Sequence, residues 1–298
     1  MQYHKPVLLK ESVNGLNIKE EGVYVDVTFG GGGHSQEILN RLGPNGKLFA
    51  FDQDKDALQN KIDDPRFTLI HENFRFVKRF LRFYGVKEVD GILGDFGVSS
   101  HQFNEAERGF STRFDARLDM RMNQSSALSA YEVINEYDEA QLKNIFYAYA
   151  DLKNAPKLAG LIVDARKQEP IENSERLNDL LKPHLFKGKE NKVLAQIYQA
   201  IRIEVNQEIG ALKYFLKQTE ELVVKNGRIS LISYHSLEDR LVKRYIRNGL
   251  FEGEAEKDFY GNISVPFKKT GRLIVPSAEE IKENNRARSA KLRVAKKL

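Results

Sequence analysis

One stretch constrains this chain more than any other: YVDVTFGGGGHS, residues 24–35. A β-rich run (Tyr24, Val25, Val27) meets four consecutive glycines, Gly30 to Gly33, and then His34, Ser35 and the helically spaced Ile38, Leu39 and Leu42. The pattern predicts a strand, a tight turn and a helix opening near Ser35. Glycine weakens helix and strand interiors, so a run of them implies a backbone that turns sharply or lies against something. A helix start carries unpaired N–H groups and a positive dipole end, which suit a carboxylate or a phosphate. A glycine-rich connector with no ligand is the competing reading.

Against the connector stands Asp52. The apolar run Leu48 to Phe51 ends in this carboxylate, about twenty residues past the glycines, the spacing at which an acidic side chain accepts from ribose hydroxyls. A nucleoside ligand is therefore expected. The dinucleotide fingerprint G-x-G-x-x-G/A is incomplete, because Ser35 or Gln36 stands where its last small residue belongs. Neither the glycine run nor Gly43-Pro44-Asn45-Gly46-Lys47 supplies the phosphate loop G-x-x-x-x-G-K-[ST]. A ligand with a ribose and a carboxylate but no pyrophosphate fits better, and S-adenosylmethionine is such a molecule.

Composition narrows the class. The 298 residues, 41% hydrophobic, suffice for one large domain or two smaller ones, each with its own core. With 30% charged residues and a mean hydropathy of -0.51, a soluble protein is expected. No apolar run reaches membrane-span length, and the first residues hold Lys10, Glu11 and Asn14 in place of a signal-peptide core, so the expected location is cytoplasmic. The absence of cysteine excludes disulfides, thiol catalysis and Cys-ligated zinc. The histidines show no H-x-x-x-H pairing, so no metal centre is expected, with carboxylate sites left open. The net charge of +5 is unevenly spread. Arg286, Arg288, Lys291, Arg293, Lys296 and Lys297 crowd the end without an acid between them, and Arg240, Lys243, Arg244 and Arg247 share one short segment. Such clusters suit phosphate contacts, while a solvated surface with a frayed basic tail explains them equally.

Along the chain, β-rich runs alternate with helical patterns: Tyr24 to Val27, Leu48 to Phe51, Phe67 to Ile70 and Gly91 to Leu93. That alternation predicts an α/β fold with a parallel sheet, whose ligand lies beyond the carboxyl ends of the strands. The residues there are Gly30 to His34, Asp52, His71 to Phe74, and Asp95 to Gln102. From about Phe103 helical spacing takes over. Ser129-x-x-Glu132 and Asp138-x-x-Gln141 read as capping boxes, the second opening a helix with Leu142, Ile145, Phe146 and Tyr149 on one side. Further helices are expected from Pro156 to Arg166 and from a Ser174 cap through Leu177, Leu180 and Leu181. One long helix is expected from Val193 to Lys225, stopped by Asn226-Gly227 and followed by a buried strand from Arg228 to Tyr234. The sheet domain thus covers 1–103 and 193–298, and an all-helical domain is inserted at 104–192. Runs Ile263 to Phe267 and Leu273 to Val275 are candidate strands to close the sheet, with the basic tail beyond.

Two strand ends carry candidate chemistry. In DGILGDFGVSSHQ, residues 90–102, Asp95 ends a buried-looking strand. It either caps its turn through backbone N–H groups or, with nearby carbonyls, accepts hydrogen bonds from an amine about to be alkylated. An exocyclic base amine shares its lone pair with the ring, so it attacks well only when placed acceptors hold its hydrogens. A sulfonium already supplies the leaving group, so alignment and acceptors are the main need, and no G-x-S-x-G elbow is present. In ISLISYHSLEDRLVKR, residues 229–244, His235 stands at the mouth of another strand. Its readings are contact with the target nucleotide or its phosphate, or a structural place beside a cap formed by Ser236-x-x-Asp239.

Taken together, VNGL (13–16), TFGGGGHS (28–35), DGILGDFGVSSHQ (90–102), ERGFS (107–111), LDMRM (118–122), QAIRIEVN (199–206), ISYHSLEDRLVK (232–243) and NRARSAKLR (285–293) closely resemble the bacterial 16S ribosomal RNA cytosine-N4 methyltransferases, in collinear order over nearly the whole chain. The resemblance implies a Rossmann-like methyltransferase sheet interrupted by a helical domain. It also implies S-adenosyl-L-methionine as methyl donor and a cytosine of the small-subunit decoding region as target. Matching the family's positions, it implies cofactor contacts from Gly32, Gly33 and His34 at the glycine turn, Asp52 at the ribose and Phe74 beside the adenine. Asp95 and Gln102 fall nearer the methyl-transfer centre, with Asp95 the first catalytic candidate and His235 the second. The implied partner is 16S ribosomal RNA within the small subunit, and the oligomeric state stays open, a homodimer included.

The chain departs from the family where leucine is usual at Phe96 and at Gly94, phenylalanine at Tyr234, and Y-G-E-E at Tyr149-Ala150-Asp151-Leu152. The first three are mild shape changes, and the last bears on what the insertion contributes to RNA contacts. Two other function classes stay in view: a nicotinamide-dependent oxidoreductase, disfavoured by the missing third glycine, and a non-catalytic RNA-binding protein on a degenerate fold.

Overall fold

Seven strands, counted among the described residues, make one sheet: β1 (Val23–Asp26), β2 (Lys47–Asp52), β3 (Phe67–His71), β4 (Val89–Asp95), β5 (Val223–Ser233), β6 (Phe267–Ile274) and β7 (Lys291–Lys297). In the computed structural model, which describes residues 6–255, 258–261 and 263–298, their order is β3-β2-β1-β4-β5-β7-β6. Strands β1 to β5 are mutually parallel, and β7 runs antiparallel to both β5 and β6. The chain divides into two compact units, Met1–Gly97 with Ile209–Leu298, and Val98–Glu208.

The sheet unit explains the apolar runs. Consecutive residues on a strand point to opposite faces, so a strand covered on both sides must be apolar throughout. Val25 and Ile92 join one core with Leu212, Phe215 and Leu216, while Tyr24 and Leu93 join another with Val13, Leu16 and Ile38. The registers Tyr24↔Gly91 and Val25↔Ile92 keep the two sets in phase. Each fully buried side chain of this size contributes about 1.5–3 kcal/mol over an exposed one.

Several expectations are corrected in detail. The helix after the glycine run starts at Gly33, not near Ser35, and ends at Leu39. The single long helix is two, Glu190–Val205 and Glu208–Leu222, broken where Gln207 takes a φ of 51°. The break is tied to chain outside the helix: Asn206 Oδ1 accepts from Met122 N–H (2.7 Å) and its Nδ2 donates to Met120 O (2.8 Å), while the same Nδ2 also donates back to Arg202 O within the helix (2.9 Å). By compactness the helical unit spans Val98–Glu208. Asn226 and Gly227 do not stop a helix. The helix has already ended at Leu222, and they lie inside β5, whose pairing with β4 is irregular there.

The two runs at 263–267 and 273–275 are replaced by one strand, β6. The basic tail is not frayed, because Lys291–Lys297 is β7, with Leu292, Val294 and Ala295 buried. Arg293 grips Asp239 through Nε (2.7 Å) and Nη2 (3.2 Å), and Lys291 Nζ lies 3.5 Å from the same carboxylate, so these two cations are spent within the fold.

The inserted unit is helical, with helices Ser100–Asn104, Ala130–Glu136, Glu139–Ala150, Ala155–Arg166, Ser174–Leu181 and Glu190–Val205. The Ser129/Glu132 and Asp138/Gln141 capping boxes both form, and proline sits in the first turn of Ala155–Arg166. The Ser174 helix is capped one residue earlier, by Asn173 accepting from Arg176 N–H. Leu142, Phe146, Ile162, Leu177, Ile197 and Ile201 share one core. In the stretch that departs from Y-G-E-E, Asp151 ends its helix in the left-handed conformation and Leu152 is buried in that core.

Candidate active site

Strand order reverses between β1 and β4, with β2 and β3 lying to one side and β5 to the other. At such a switch point the loops leaving adjacent strands part, and the gap beyond the carboxyl ends is where open α/β sheets bind ligands. The turn after β1 carries the glycines and the turn after β4 carries Asp95 and Phe96. Both strands are prolonged past their ends by Val27 N–H to Leu93 O (2.9 Å), Phe29 N–H to Phe51 O (2.9 Å) and Phe96 N–H to Ile232 O (3.0 Å).

A buried carboxylate ties the turns together. Asp26, fully buried, accepts from Ser35 Oγ–H (2.7 Å) and Thr28 N–H (3.1 Å), and Thr28 Oγ1 accepts from the N–H of Asp95 (2.6 Å). Across the glycine turn, Asp52 Oδ2 accepts from Gly30 N–H (2.8 Å) and Oδ1 from Asp54 N–H (2.8 Å), while Asn60 Nδ2 donates to Gly30 O (2.9 Å). Each carboxylate oxygen has room for a second donor, so Asp52 retains capacity for ribose hydroxyls.

The glycines do different things. Gly30 has a φ of 51°, and a Cβ there would meet nothing within 4 Å, so its outer side is open to a close approach. At Gly33 a Cβ would fall 2.1 Å from Pro6 Cγ, which makes that glycine a packing requirement of the N-terminal segment. Gly32, at a φ of 77°, sits against the Phe29 ring.

His34 and Asp95 are brought together. His34 is buried, with Nε2 3.1 Å from Val7 O. A carbonyl can only accept, so Nε2 carries the hydrogen and Nδ1 faces Asp95 Oδ2 at 3.9 Å. Asp95 Oδ1 accepts from the Tyr234 hydroxyl (2.8 Å). The Tyr234 ring lies against Gly97, where a Cβ would come within 3.2 Å of it and where φ is 125°. Sequence reasoning treated Tyr234 as a mild departure beside a strand. The one available signal was that the added atom, relative to phenylalanine, is a hydroxyl at the end of β5, next to β4. The other two departures explain each other: a Cβ on Gly94 would stand 2.8 Å from the Phe96 ring, so the larger ring occupies the space of the missing side chain.

Phe74 stands just past β3, partly buried, and packs on the core rings of Phe96 (5.7 Å between ring centroids) and Phe215 (5.5 Å). His235 caps the helix Ser236–Asn248: its Nδ1 accepts from Glu238 N–H (3.4 Å), and Glu238 Oε2 accepts from Tyr234 N–H (3.0 Å). Its Nε2 lies 3.1 Å from Glu238 Oε1, so the cap belongs to His235 and Glu238, in place of Ser236 and Asp239. Gln102 belongs to the inserted unit, where its side chain accepts from Ser99 N–H (3.0 Å) and its N–H donates to Ser99 Oγ (3.2 Å).

Electrostatically the strand tips are short of positive charge. Burial pushes Asp26, Asp52 and Asp95 up to about 6 each. For Asp95 the His34 ring and the Tyr234 hydroxyl pull the other way, while Asp26 and Glu238 reinforce the rise. For Asp52 the N–H groups of Asp54 and Gly30 oppose burial. The Asp95 side chain is still 21% exposed, so it can reach a ligand. Three crowded carboxylates favour a cation and can accept N–H or O–H hydrogens. An adenosyl sulfonium is a ligand these groups could hold, with Asp52 able to accept from hydroxyls and the outer side of Gly30 open to a close approach.

Comparison with known sequences agrees with methyl-transfer chemistry. A family model described as the MraW methylase family matches residues 1–298. A ribosomal RNA small subunit methyltransferase H from Christiangramia forsetii is 80% identical over 298 residues, covering 100% of this chain and 99% of the relative. The protein of the same name from Flavobacterium johnsoniae is 67% identical over 298 residues, covering 100% and 99%. Among solved structures, TrmN from Thermus thermophilus aligns with 98% of this chain and 48% of its own at 12% identity and a TM-score of 0.45.

Proposed function

The chain belongs to the MraW methylase family, and from that membership we propose that it transfers the methyl group of S-adenosyl-L-methionine to the exocyclic N4 amine of a cytosine in the decoding region of 16S ribosomal RNA, within the small ribosomal subunit in the cytoplasm. The relatives' names support small-subunit ribosomal RNA as the substrate class. The observation that carries the choice of an amine is Asp95: a partly exposed carboxylate at the switch point, with one oxygen and the backbone N–H already held.

When bound, S-adenosyl-L-methionine supplies an electrophilic methyl on a sulfonium leaving group. Asp52 would accept from the ribose hydroxyls and Phe74 would offer a ring to the adenine, with Gly32, Gly33 and His34 shaping the turn between β1 and the following helix. Asp95 Oδ2 accepts a hydrogen of the cytosine amine, which localises the nitrogen lone pair and points it outward. An amine nitrogen that has gained a methyl is strongly acidic, and the Asp95 carboxylate, near pKa 6, would take its proton. His34 fills the buried space behind the Asp95 carboxylate. His235 holds the turn after β5 and so the position of Tyr234. Gln102 shapes the loop that follows Asp95. The target base must stand unstacked, as base-modifying enzymes require.

The test is to incubate small subunits from a strain lacking this protein with labelled S-adenosyl-L-methionine and map the modified nucleoside by mass spectrometry. The expected product is N4-methylcytidine at a single position. Label on a base carbon or a ribose oxygen overturns the assignment to an amine.

A further inference from the structure

The crossover between β3 and β4, FRFVKRFLRFYG at residues 74–85, is apolar on the wrong side. Its helix, Val77–Phe83, buries Val77 and Leu81 against the sheet. A surface helix ordinarily turns polar groups outward, yet here the outward stripe is Phe76, Arg79 and Phe83 at helical spacing, with Phe80 half-buried against the core. Phe83 is 80% exposed, Tyr84 46% and Phe76 37%. The Arg75 guanidinium lies 5.3 Å from the centroid of Phe76 and that of Arg79 lies 6.0 Å from Phe80, and the rings of Phe83 and Tyr84 meet edge-on at 5.3 Å.

Charge narrows the occupant. From Asn73 to Lys87 the chain holds Arg75, Lys78, Arg79, Arg82 and Lys87 and no acid. Lys78 and Arg82 share Glu221, whereas among the described residues no carboxylate pairs with Arg79. A second copy of this chain would bring the same cations face to face. Aromatic faces interleaved with guanidinium groups match stacked bases and their phosphates. The stripe also starts in the right place: Phe76 follows Phe74 just past the carboxyl end of β3, and at 1.5 Å per residue the helix carries it about 10 Å onward to Phe83.

We propose that this helix is a stacking surface for a single-stranded RNA segment flanking the methylated cytosine, with Phe83 and Phe76 against bases and Arg79 against the backbone. The proposal rests on the reading of the protein as a ribosomal RNA methyltransferase. It is tested with full-length wild type, Phe83→Ala and Arg79→Ala, using a fluorescein-labelled 12-nucleotide single-stranded RNA of mixed sequence in anisotropy titrations, and small subunits in methyl-transfer assays. Phe83→Ala is expected to weaken oligonucleotide binding about tenfold and to raise KM for small subunits with kcat unchanged. Arg79→Ala is expected to flatten the salt dependence by about one phosphate contact. Calorimetric affinity for S-adenosyl-L-methionine should be the same in all three proteins, which also reports that the variants are folded. Unchanged oligonucleotide affinity and KM in both variants overturns the proposal, as does a wild-type dimer that Phe83→Ala dissociates in sedimentation with RNA binding intact. Wild type that transfers no methyl while the variants lose oligonucleotide binding sinks the catalytic reading and leaves the surface standing.

Discussion

Removing one oxygen atom from Tyr234 should move the pH dependence of the whole reaction. The Tyr234 hydroxyl donates to Asp95 Oδ1 at 2.8 Å, and a hydrogen bond to the ionised form of an acid holds its pKa down. Bonds of this charge-assisted kind are worth about 1.5–3 kcal/mol. Because 21% of the Asp95 side chain is exposed and water partly replaces the donor, the lower figure applies, equivalent to about one pKa unit. Tyr234→Phe should therefore lift Asp95 from about 6 to about 7. Ionised Asp95 then falls from about one half to about one tenth at pH 6, and stays above about nine tenths at pH 8. The assay is kcat/KM for labelled methyl transfer to small subunits from pH 5.5 to 8.5. Activity at pH 6 should drop about fivefold while the alkaline plateau is kept. The ring remains to pack on Gly97, so the melting temperature should hardly change. Superimposable profiles would refute the idea that this hydroxyl sets the ionisation of Asp95.

Other perturbations separate binding from chemistry and from packing. Asp52→Ala should weaken S-adenosyl-L-methionine binding by about a hundredfold through two lost acceptor contacts, whereas Asp95→Ala should lower kcat with affinity changed by less than about threefold; calorimetry beside single-turnover rates tells them apart. Gly30→Ala should impair binding more than stability, while Gly33→Ala, driven into Pro6, should cost about 1–3 kcal/mol of stability by denaturant titration. Asp26, Asp52 and Asp95 have raised folded pKa values of about 6, so the stability they confer is present below the unfolded value and lost as pH rises through about 6. The free protein should thus melt higher at pH 5 than at pH 7, and saturating ligand should shrink that difference, measured by scanning calorimetry with Asp52→Asn as control.

Much of this architecture was legible because the relevant physics is local. The alternation of apolar runs, the Ser129 and Asp138 boxes and the strand-end positions of Asp52 and Asp95 all follow from spacing within a few residues. What escaped depends on partners far away in sequence. Val205 and Ile209 keep helical step across the break at Gln207, and only the Asn206 contacts to Met120 and Met122 reveal it. The tail read as loose because its six cations dominate its composition, yet Leu292, Val294 and Ala295 are buried and Asp239 neutralises Arg293. Tyr234 was visible as a departure, but its bond to a residue 139 positions away was not.

The place of β7 has a consequence for how this protein is made. It is the last strand in chain order, yet it lies between β5 and β6 and supplies the only strand β6 pairs with among those described. A nascent chain that has already exposed β6 to the ribosome surface therefore holds an edge with no neighbour until residues 291–297 emerge. Strands β4 and β5, separated by the whole inserted unit, face a similar wait, and such long-range pairing is slow to form. Translation that stalls before residue 291 leaves a product in which β6 has no strand to pair with among those described.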